Sequence, residues 1–412
     1  MTDFSRLARK ITWVLFANQS LASAGFIAAA TINSIIGAKL GGSASYAGLP
    51  SAVYLLGGAF AASAWGYLME RIGRRNGIVL GLVIGVIGNA LVLYAISTSS
   101  FVLFLAGMVM MGITNAAVVL GRFAAAEVNP PEQRGSAISN VVIGGTFGAV
   151  FGPLLVGPMG IFAHSIGMDE LAGAYIATLV LFAIASVVVF VGLRPDPRDL
   201  GIQIAAQYPE TTPAGEARTF FEIIRQPAAL MAVTAMVLGQ VVMVAIMVIT
   251  SLHMRGHNHN LRDISTVISS HTLGMYAFSV ISGRLSDKWG RGRVILAGSF
   301  TLLLACITAP LSPDVFPLAV ALFLLGLGWN FCFVGGSALL ADQLSPAERA
   351  RTQGTNDLLV GLASAIGSLG SGFVFAASNY TIISIVAGLL SLVPLGMSLL
   401  WMRKTRTFVL TA

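Results

Sequence analysis

The sequence predicts an all-α integral membrane protein with twelve transmembrane helices, and three observations support this. The 412 residues are 56% hydrophobic and only 10% charged, with a mean hydropathy of +0.84, whereas soluble proteins carry roughly 25% charged residues. Apolar runs long enough to cross a hydrocarbon core of ~30 Å recur along the whole chain. These runs lack the period-2 alternation of barrel strands, so each must be a helix, because unpaired backbone polar groups are costly in lipid.

The apolar runs define the predicted helices in chain order. We interpret the first run as a retained helix and not as a signal peptide, because it is too long, lacks a small-residue cleavage site and is followed by eleven others. Spans 1 to 12 cover residues 12–36, 47–69, 77–97, 101–127, 136–162, 171–193, 227–251, 263–284, 293–309, 315–341, 352–377 and 380–402.

Basic residues follow alternate loops and therefore predict the orientation of the chain. With both termini in the cytoplasm, 20 of the 24 Lys and Arg residues fall in cytoplasmic segments, while Lys39, Arg255 and Arg262 fall outside and Arg122 lies within span 4. Such an excess is the usual bias of cytoplasmic loops. The net charge of +7 is not gathered in a stripe or tail, which argues against a nucleic-acid partner. We expect a multi-pass protein of a bacterial inner (plasma) membrane, embedded in the lipid bilayer.

Two internal repeats divide the chain into halves. The nonamer GRLSDKWGR, residues 283–291, resembles GYLMERIGR, residues 66–74, and the segment AAAEVNPPEQRGSAIS after span 4 resembles ALLADQLSPAERARTQ after span 10. The sequence therefore predicts two six-helix pseudo-repeats in parallel order. Residues 1–193 form the first half, 194–226 a polar cytoplasmic linker and 227–412 the second half. Parallel repeats of this kind place a transport site near the bilayer midplane.

The nonamers also carry a family resemblance. The pattern G-x-L-[A/S]-D-R-x-G-R-[R/K], between helices 2 and 3 and again between helices 8 and 9, resembles the signature loop of the major facilitator superfamily. The first copy has Glu70 where aspartate is usual, and the second has Lys288 for the first basic residue. In span 5, GAVFGPLLVG, residues 148–157, is similar to a G-x-x-x-G-P motif of the drug:proton antiporter branch. The resemblance implies the major facilitator fold.

Charges and glycines of these motifs are predicted to gate transport. The resemblance implies that each loop acid sits against the N-terminus of helix 11 or helix 5 and that each base pairs with a second acid at the end of helix 4 or 10. We predict one cytoplasmic latch of Glu70, Arg71 and Glu127 and another of Asp287, Lys288 and Asp342; solvated charges that only enforce topology are the alternative. We also expect Gly66 and Gly283 to allow close helix approach, and Gly73 and Gly290 to permit tight turns. The full gating set is Gly66, Glu70, Arg71, Gly73, Arg74, Glu127, Gly148, Gly152, Pro153, Gly283, Asp287, Lys288, Gly290, Arg291 and Asp342.

Ionisable side chains inside spans are candidates for proton coupling, because charge at membrane depth is costly. His271 lies near the middle of span 8, where an imidazole can change charge near neutral pH; a hydrogen-bonded packing histidine is the alternative. Asp357 begins a small, polar stripe in span 11 and either exchanges a cation or proton, caps the helix or joins the latch. Arg122 either pairs with an acid or an anionic substrate, or reaches the cytoplasmic surface.

Uncharged polar residues inside spans are the predicted substrate contacts. The resemblance implies that helices 1, 4, 7 and 10 surround a central cavity. An interhelical hydrogen bond is the alternative for each residue. With His271, the set is Asn18, Gln19, Asn33, Tyr54, Asn115, Gln240, His271 and Asn330.

Histidines and cysteines offer little for metal or redox chemistry. Three of the five histidines lie in HMRGHNH, residues 253–259, a predicted outer loop. Imidazoles at this spacing could chelate zinc, copper or nickel, but no carboxylate or cysteine within the loop completes a tetrahedral set. We predict no metal site. Cys306 and Cys332 fall inside spans and are expected to be buried small hydrophobes and not a disulfide.

The leading functional prediction is a monomeric secondary transporter, without a cofactor, that exports small amphipathic molecules in exchange for protons by alternating access. The sequence has no H-E-x-x-H, no G-x-S-x-G, no P-loop and no soluble stretch large enough for a catalytic domain, so we expect neither an enzyme nor ATP-driven transport. A proton-coupled uptake carrier for a nutrient or metabolite is the alternative, and a metal-ion exporter is a third. A receptor or sensor of the same fold also remains open.

Overall fold

The computed structural model describes residues 2–130, 133–206 and 218–410, and these ranges are helical apart from short connections. Eleven helical segments among them are long and apolar enough to cross a membrane. Ala44–Ala62 and Ala64–Ile72, which are bent by 49° at their break, together make a twelfth. The prediction of an all-α protein with twelve spans is confirmed when this bent pair counts as one.

The chain folds into two compact units. Unit 1 comprises Met1–Gly42, Pro50–Thr211 and Asn260–Ser265, and unit 2 comprises Ser43–Leu49, Thr212–His259 and Thr266–Ala412. The limits of the halves given above, residues 1–193 and 227–412, stay a prediction.

Unit 1 is built around two long helices, α1 and α3. Helix α1 packs against α6 and α8, and α3 packs against α4 and α8. The helices of this part of the chain are α1 (Thr2–Gly41), α2 (Leu49–Ile72), α3 (Arg74–Ser97), α4 (Phe101–Val119), α5 (Gly121–Glu127), α6 (Arg134–Phe151), α7 (Val156–Ser165), α8 (Ala172–Gly192) and α9 (Pro197–Ala205).

Unit 2 repeats this scheme of packing. Helix α11 packs against α16 and α17, and α14 packs against α15 and α17, so the same pairs meet in the same chain order as in unit 1. The predicted parallel repeat is therefore visible in the packing of each unit. The helices are α10 (Phe220–Ile224), α11 (Pro227–Gly256), α12 (Leu261–Tyr276), α13 (Ser279–Trp289), α14 (Arg291–Thr308), α15 (Val315–Asp342), α16 (Pro346–Ala377) and α17 (Tyr380–Leu410).

Glycines of α6 bring the backbones of α1 and α6 into contact. A methyl group on Gly144 would lie 2.5 Å from the carbonyl oxygen of Phe16, and one on Gly148 would lie 2.6 Å from the backbone nitrogen of Ala24. Gly152, one turn later, also meets the backbone of Ala24. Small residues at this spacing are the usual means of close helix packing in membranes. Pro153 then begins a 3-10 turn that separates α6 from α7.

Large apolar side chains are exposed on the spans of both units. Phe60 of α2 is 81% exposed and Phe316 of α15 is 79% exposed. Soluble proteins rarely expose extensive apolar surface, whereas a bilayer solvates such side chains. These exposures therefore agree with helices that lie in lipid.

The predicted linker, residues 194–226, differs from the solvated stretch expected from its composition. Within its described residues, α9 buries Leu200 and Ile204 at 3% and 5% exposure, and α10 buries Ile223 at 1%. Residues 207–217 lie outside the described part of the chain. The two ends of the linker are thus packed parts of their own units.

Candidate functional site

The loop between α2 and α3 is capped by an acid from the linker. Gly73 ends the turn at a φ of 90°, a conformation that glycine adopts without strain. The carboxylate oxygens of Asp196 lie 3.0 and 3.1 Å from the backbone nitrogens of Arg74 and Arg75. These amides have no partner within the helix, and the positive end of the helix dipole favours an anion beside them.

Arg198 binds the other side of the same loop. Its Nη1 donates to the carbonyl oxygens of Glu70 and Arg71, at 2.9 and 3.0 Å. A cation is favoured at the last turn of a helix, where carbonyl oxygens lack partners. One short segment of the linker therefore caps both the end of α2 and the start of α3.

At the first nonamer, Arg74 bonds Glu127, whereas Arg71 was the base predicted for the latch. Arg74 forms a bidentate pair with Glu127, with Nε to Oε2 at 3.0 Å and Nη2 to Oε1 at 2.5 Å. Arg71 lies over the ring of Tyr67, 4.3 Å from its centre, because the two residues are one helical turn apart on α2. The Glu70 side chain is exposed. Arg74 is thus the base that joins the loop to α5.

Unit 2 has the same arrangement at the second nonamer. Arg291, the counterpart of Arg74, bonds Asp287 one turn before it and Asp342 at the end of α15, the latter at 3.2 Å. Lys288 is exposed. Arg291, the last residue of the nonamer, therefore lies between Asp287 and Asp342, where Lys288 was the predicted base.

The four nonamer glycines divide into two kinds. Gly290, like Gly73, has a positive φ, of 93°. In contrast, apart from the adjacent backbone of the same helix, no described atom lies within 4 Å of the point where a Cβ would stand on Gly66 or Gly283. The close helix approach predicted at those two positions is not observed.

A residue near the other end of the linker, Arg218, holds the start of α16. Oε1 of Glu348 accepts from the backbone nitrogen and Nε of Arg218, at 3.0 and 2.8 Å, and Oε2 accepts from Nη2 of Arg218 and from the backbone nitrogen of Ser345, both at 2.9 Å. The Glu348 side chain is only 3% exposed. The hydrogen bonds from Arg218, supported by Ser345, hold the pKa of Glu348 well below its usual range.

Asn330 organises a break in the predicted span 8. Its Nδ2 donates to the carbonyl oxygen of Met275 at 2.6 Å and to Oγ of Ser279 at 2.8 Å, and its Oδ1 accepts from the Ser282 hydroxyl. Helix α12 ends and α13 begins between these partners, so Asn330 bonds a carbonyl that the break releases. At 2% exposure, Asn330 acts as a structural residue here and not as an open substrate contact.

The two predicted proton carriers of unit 2 have different surroundings. His271 is fully buried, and its Nδ1 lies 2.9 Å from the carbonyl oxygen of Leu322. Nδ1 must carry the hydrogen, because a carbonyl only accepts, and Nε2 has no hydrogen-bond partner among the described residues. Asp357, by contrast, is exposed on α16. Of these two side chains, Asp357 is exposed and His271 is buried.

Gln240 of unit 2 bonds one of three half-buried aromatic rings that contact one another. Trp329 donates from Nε1 to Oε1 of Gln240 at 2.6 Å. Its ring stacks on Phe333, with centres 5.0 Å apart and an interplanar angle of 17°, and meets Tyr276 edge-on at 6.3 Å. We call Tyr276, Trp329 and Phe333 the aromatic cluster. Gln240 was predicted as a substrate contact, but the three rings were not. The available signal was their position on spans 8 and 10, which also carry polar residues such as Asn330.

Polar residues of α1 are largely engaged in helix contacts. Asn33 accepts a hydrogen bond from the Tyr175 hydroxyl of α8, and Gln19 donates to Ser23 at 3.2 Å. Asn18 is 1% exposed, and its Oδ1 has no hydrogen-bond partner among the described residues. Of these three residues, Asn33 bonds a second helix of unit 1, whereas Gln19 bonds a residue of its own helix.

The remaining predicted residues of unit 1 lie on α2, α4 and α5. Tyr54 is half-buried, with its ring centre 5.9 Å from that of Phe26, and Asn115 is half-buried on α4. The Arg122 guanidinium lies over the Phe123 ring at 4.9 Å.

The histidine segment begins within a helix and not within the predicted outer loop. Helix α11 extends to Gly256 and so includes His253, whose ring stacks on Tyr380 with centres 4.3 Å apart. Across the described residues, no group of three or more His, Cys, Asp or Glu side chains is placed to hold a metal ion. Cys306 and Cys332 are free and buried.

Comparison with known proteins decides the family. The sequence model of the Major Facilitator Superfamily matches residues 15–261 and 231–409. The chain belongs to this family. An uncharacterized MFS-type transporter, YdeG of Bacillus subtilis (strain 168), is 39% identical over 94% of this chain and 90% of its own length. The riboflavin transporter RfnT of Brucella anthropi is 30% identical over 96% of this chain and 97% of its own length.

A solved structure agrees with the fold. The nucleoside transporter NupG superposes with a TM-score of 0.71 over 95% of this chain and 98% of NupG, at 14% identity. The predicted major facilitator fold is confirmed. This member of the superfamily is a multi-pass membrane transporter of a small-molecule substrate, and it is not an enzyme.

Proposed function

We propose that this MFS transporter is a secondary carrier for small amphipathic organic molecules that contain a planar aromatic ring. The observation that carries the proposal is the aromatic cluster: Trp329 and Phe333 stack, Tyr276 meets Trp329 edge-on, and all three rings are half-buried. Offset ring stacking contributes about 0.5–1.5 kcal/mol beyond the area that it buries. The neighbouring amide of Gln240 adds hydrogen-bonding capacity without charge.

The riboflavin transporter RfnT supports this class of substrate. RfnT is similar to the chain over almost its full length, and riboflavin is a planar ring system with a polar chain. A surface of stacked rings beside a neutral amide suits such a molecule better than a small inorganic ion. Riboflavin is therefore the first probe to use.

We further propose that the carrier exports its substrate in exchange for protons from a cell whose cytoplasm contains both termini. The resemblance of span 5 to the drug:proton antiporter motif supports this direction, and the backbone contact of Gly148 with α1 is the kind of tight seal expected of that motif. Asp357 supports proton exchange, because it is an exposed carboxylate within a span. Uptake of a metabolite is the second candidate, favoured by the similarity to RfnT.

Transport by the purified protein in liposomes tests the substrate class. Riboflavin entry is followed by its fluorescence in the wild type, Trp329→Ala, Trp329→Phe and Phe316→Ala. Loss of stacking should raise the half-saturating concentration of Trp329→Ala about three- to tenfold, while Trp329→Phe should lie between it and the wild type. Phe316 is a large, 79% exposed residue on the same helix, so Phe316→Ala should transport normally. Equal transport by Trp329→Ala and the wild type would contradict the proposal.

Imposed pH gradients test direction and coupling in the same liposomes. A proton antiporter accumulates substrate when the vesicle interior is acidic, because protons leave as the substrate enters. A symporter accumulates it when the interior is alkaline. Accumulation with an alkaline interior would replace export by uptake, and equilibration without accumulation under either gradient would show that protons are not coupled.

A further inference from the structure

A cavity of about 990 Å³ lies within unit 1 between the first turns of α1 and α6. On α1 it is lined by Arg9, Trp13 and Phe16, which follow one another at helical spacing and share a face. On α6 it is lined by Asn140 and Phe147 among others. Neither the latch residues nor the aromatic cluster of unit 2 contributes to it.

The cavity exists because two touching helices separate. Gly144 holds the backbone of α6 against Phe16. The α6 residues that precede it on the same face, Asn140 and then Gln133, carry side chains and cannot approach α1 as closely. The helices therefore diverge toward their N-termini and leave an open cleft.

The lining changes from polar to apolar along the cleft. Arg9, Gln133 and Asn140 lie nearer the N-terminal ends of α1 and α6. Farther along the two helices, the ring of Phe16 lies 5.3 Å from Trp13 and 6.0 Å from Phe147, measured between centres. Trp13 is 62% exposed and Phe147 is 53% exposed. A molecule that fits this gradient has a polar head and an apolar tail parallel to the helices.

The basic residues at the N-terminal end of α1 indicate the charge that the polar head of such a molecule would have. Arg9 is the one charged side chain among the described residues of the lining, and it is exposed. Arg6 is an exposed neighbour on the same helix, whereas Lys10 donates to the carbonyl oxygen of Arg194 at 3.2 Å. Tryptophan beside basic residues at the end of a span is typical of the membrane surface, and basic groups there attract anionic lipids.

We propose that this cleft binds one anionic phospholipid of the leaflet that faces the chain termini. The phosphate lies against the Arg9 guanidinium, with the amides of Gln133 and Asn140 as further donors. The acyl chain follows Phe16 and Phe147 toward the membrane interior. The proposal does not depend on which substrate is transported, because it concerns a lipid bound to unit 1.

Contact quenching of tryptophan fluorescence tests this site. The protein is placed in nanodiscs of phosphatidylcholine that contain a fixed fraction of brominated phosphatidylglycerol or brominated phosphatidylcholine. Trp13 is one of five tryptophans, so its signal is the difference between the wild type and Trp13→Phe. We expect brominated phosphatidylglycerol to quench Trp13 with an apparent preference of about fivefold, the factor that corresponds to one basic contact at a membrane surface.

Two matched arginine variants distinguish a specific lipid site from a general attraction between basic residues and anionic lipids. Arg9→Gln should abolish the preference, whereas Arg6→Gln, which removes a charge outside the lining, should retain most of it. Equal quenching by the two lipids, or equal loss in both variants, would overturn the proposal. Soluble glycerol phosphate at millimolar concentration should not relieve the quenching. Relief by this compound would show that the cleft binds a free organic phosphate and would also overturn a lipid site.

Discussion

The carboxylate of Asp196 accepts a hydrogen bond from the backbone amide of Arg74 at 3.0 Å, across 122 positions of the chain. The nonamer acid Glu70 was expected at the N-terminus of helix 11 or helix 5, and no acid was predicted at the start of the third helix. The structure leaves the Glu70 side chain exposed and supplies a carboxylate from the linker at the start of α3. The linker therefore supports the loop that characterises the family.

Asp196→Asn should destabilise unit 1, because it keeps an acceptor oxygen but removes the charge beside the helix dipole. Loss of a helix cap costs about 1 kcal/mol, which corresponds to a fall of roughly 2–4 °C in Tm for a unit of this size. Thermal unfolding in detergent measures the fall. Asp199→Asn is the control, since Asp199 is 56% exposed and bonds only its neighbour Arg198 in the contacts described. An equal fall in both variants would argue against the cap.

Arg74→Gln should impair transport more than Arg71→Gln. Arg74 makes two hydrogen bonds to Glu127, whereas Arg71 packs on Tyr67. A hydrogen bond to a charged group contributes about 1.5 kcal/mol or more, so the initial rate of Arg74→Gln should fall roughly tenfold. Rates in liposomes at equal protein incorporation make the comparison. If Arg71→Gln proves the more damaging, the predicted base and not the observed one operates the latch.

Glu348→Gln should lower stability at neutral pH and lose its effect in acid. The pKa of Glu348 is lowered from 4.5 by its bonds to Arg218, so the stabilisation is fully present above about pH 4.5 and is lost as the pH falls through the lower, folded-state pKa. Tm curves of wild type and variant should therefore converge as the pH falls. Arg218→Gln should be the more harmful at pH 7, because it leaves a buried carboxylate without its partner. Parallel curves down to pH 3 would refute this linkage.

Asn330→Leu and Gln240→Leu should separate structure from substrate binding. Leucine at 330 leaves the Met275 carbonyl without its amide partner, which costs about 1–3 kcal/mol, so Tm should fall. Leucine at 240 removes one bond to the half-buried Trp329 and should chiefly raise the half-saturating substrate concentration. Thermal unfolding and transport on the same preparations give both values. A normal Tm in Asn330→Leu would count against its role at the helix break.

Asp357→Asn should abolish accumulation driven by a pH gradient while permitting exchange of substrate at equal concentration. The asparagine cannot carry a proton, and the native carboxylate is exposed. His271→Gln should retain gradient-driven transport with reduced stability, because His271 is fully buried and bonded to Leu322. The opposite pattern would move proton coupling to His271, and full accumulation in the double variant would exclude both residues.

Hydropathy predicted the spans because lipid leaves the backbone few alternatives, but it concealed the irregularities within them. The run 263–284 continues through the break between α12 and α13, since the residues there are as apolar as their neighbours. Asn330 was consequently predicted to contact the substrate, whereas in the structure it bonds residues on both sides of that break. Its role depends on a contact across 55 positions, which no local pattern contains.

The latch illustrates which side-chain contacts a motif can predict. Glu127 and Asp342 were identified as the second acids, and each does receive an arginine. The base was misassigned because Arg71, Arg74 and Arg75 are close in sequence, and only the turn at Gly73 determines which of them faces α5. The sequence SPAE, residues 345–348, is a capping box that indicates a role for Glu348 at the start of a helix. Nothing in the sequence near Arg218 indicates that Glu348 is its partner.

Each end of the linker holds a helix terminus of its own unit. Asp196 and Arg198 cap helices of unit 1, and Arg218 holds the start of a helix of unit 2. A break in the chain between residues 206 and 218 would leave each of these three contacts on one side of the break. The protein is therefore suited to production as two polypeptides that reassemble in the membrane, and the same interval is the natural place to insert a fluorescent reporter.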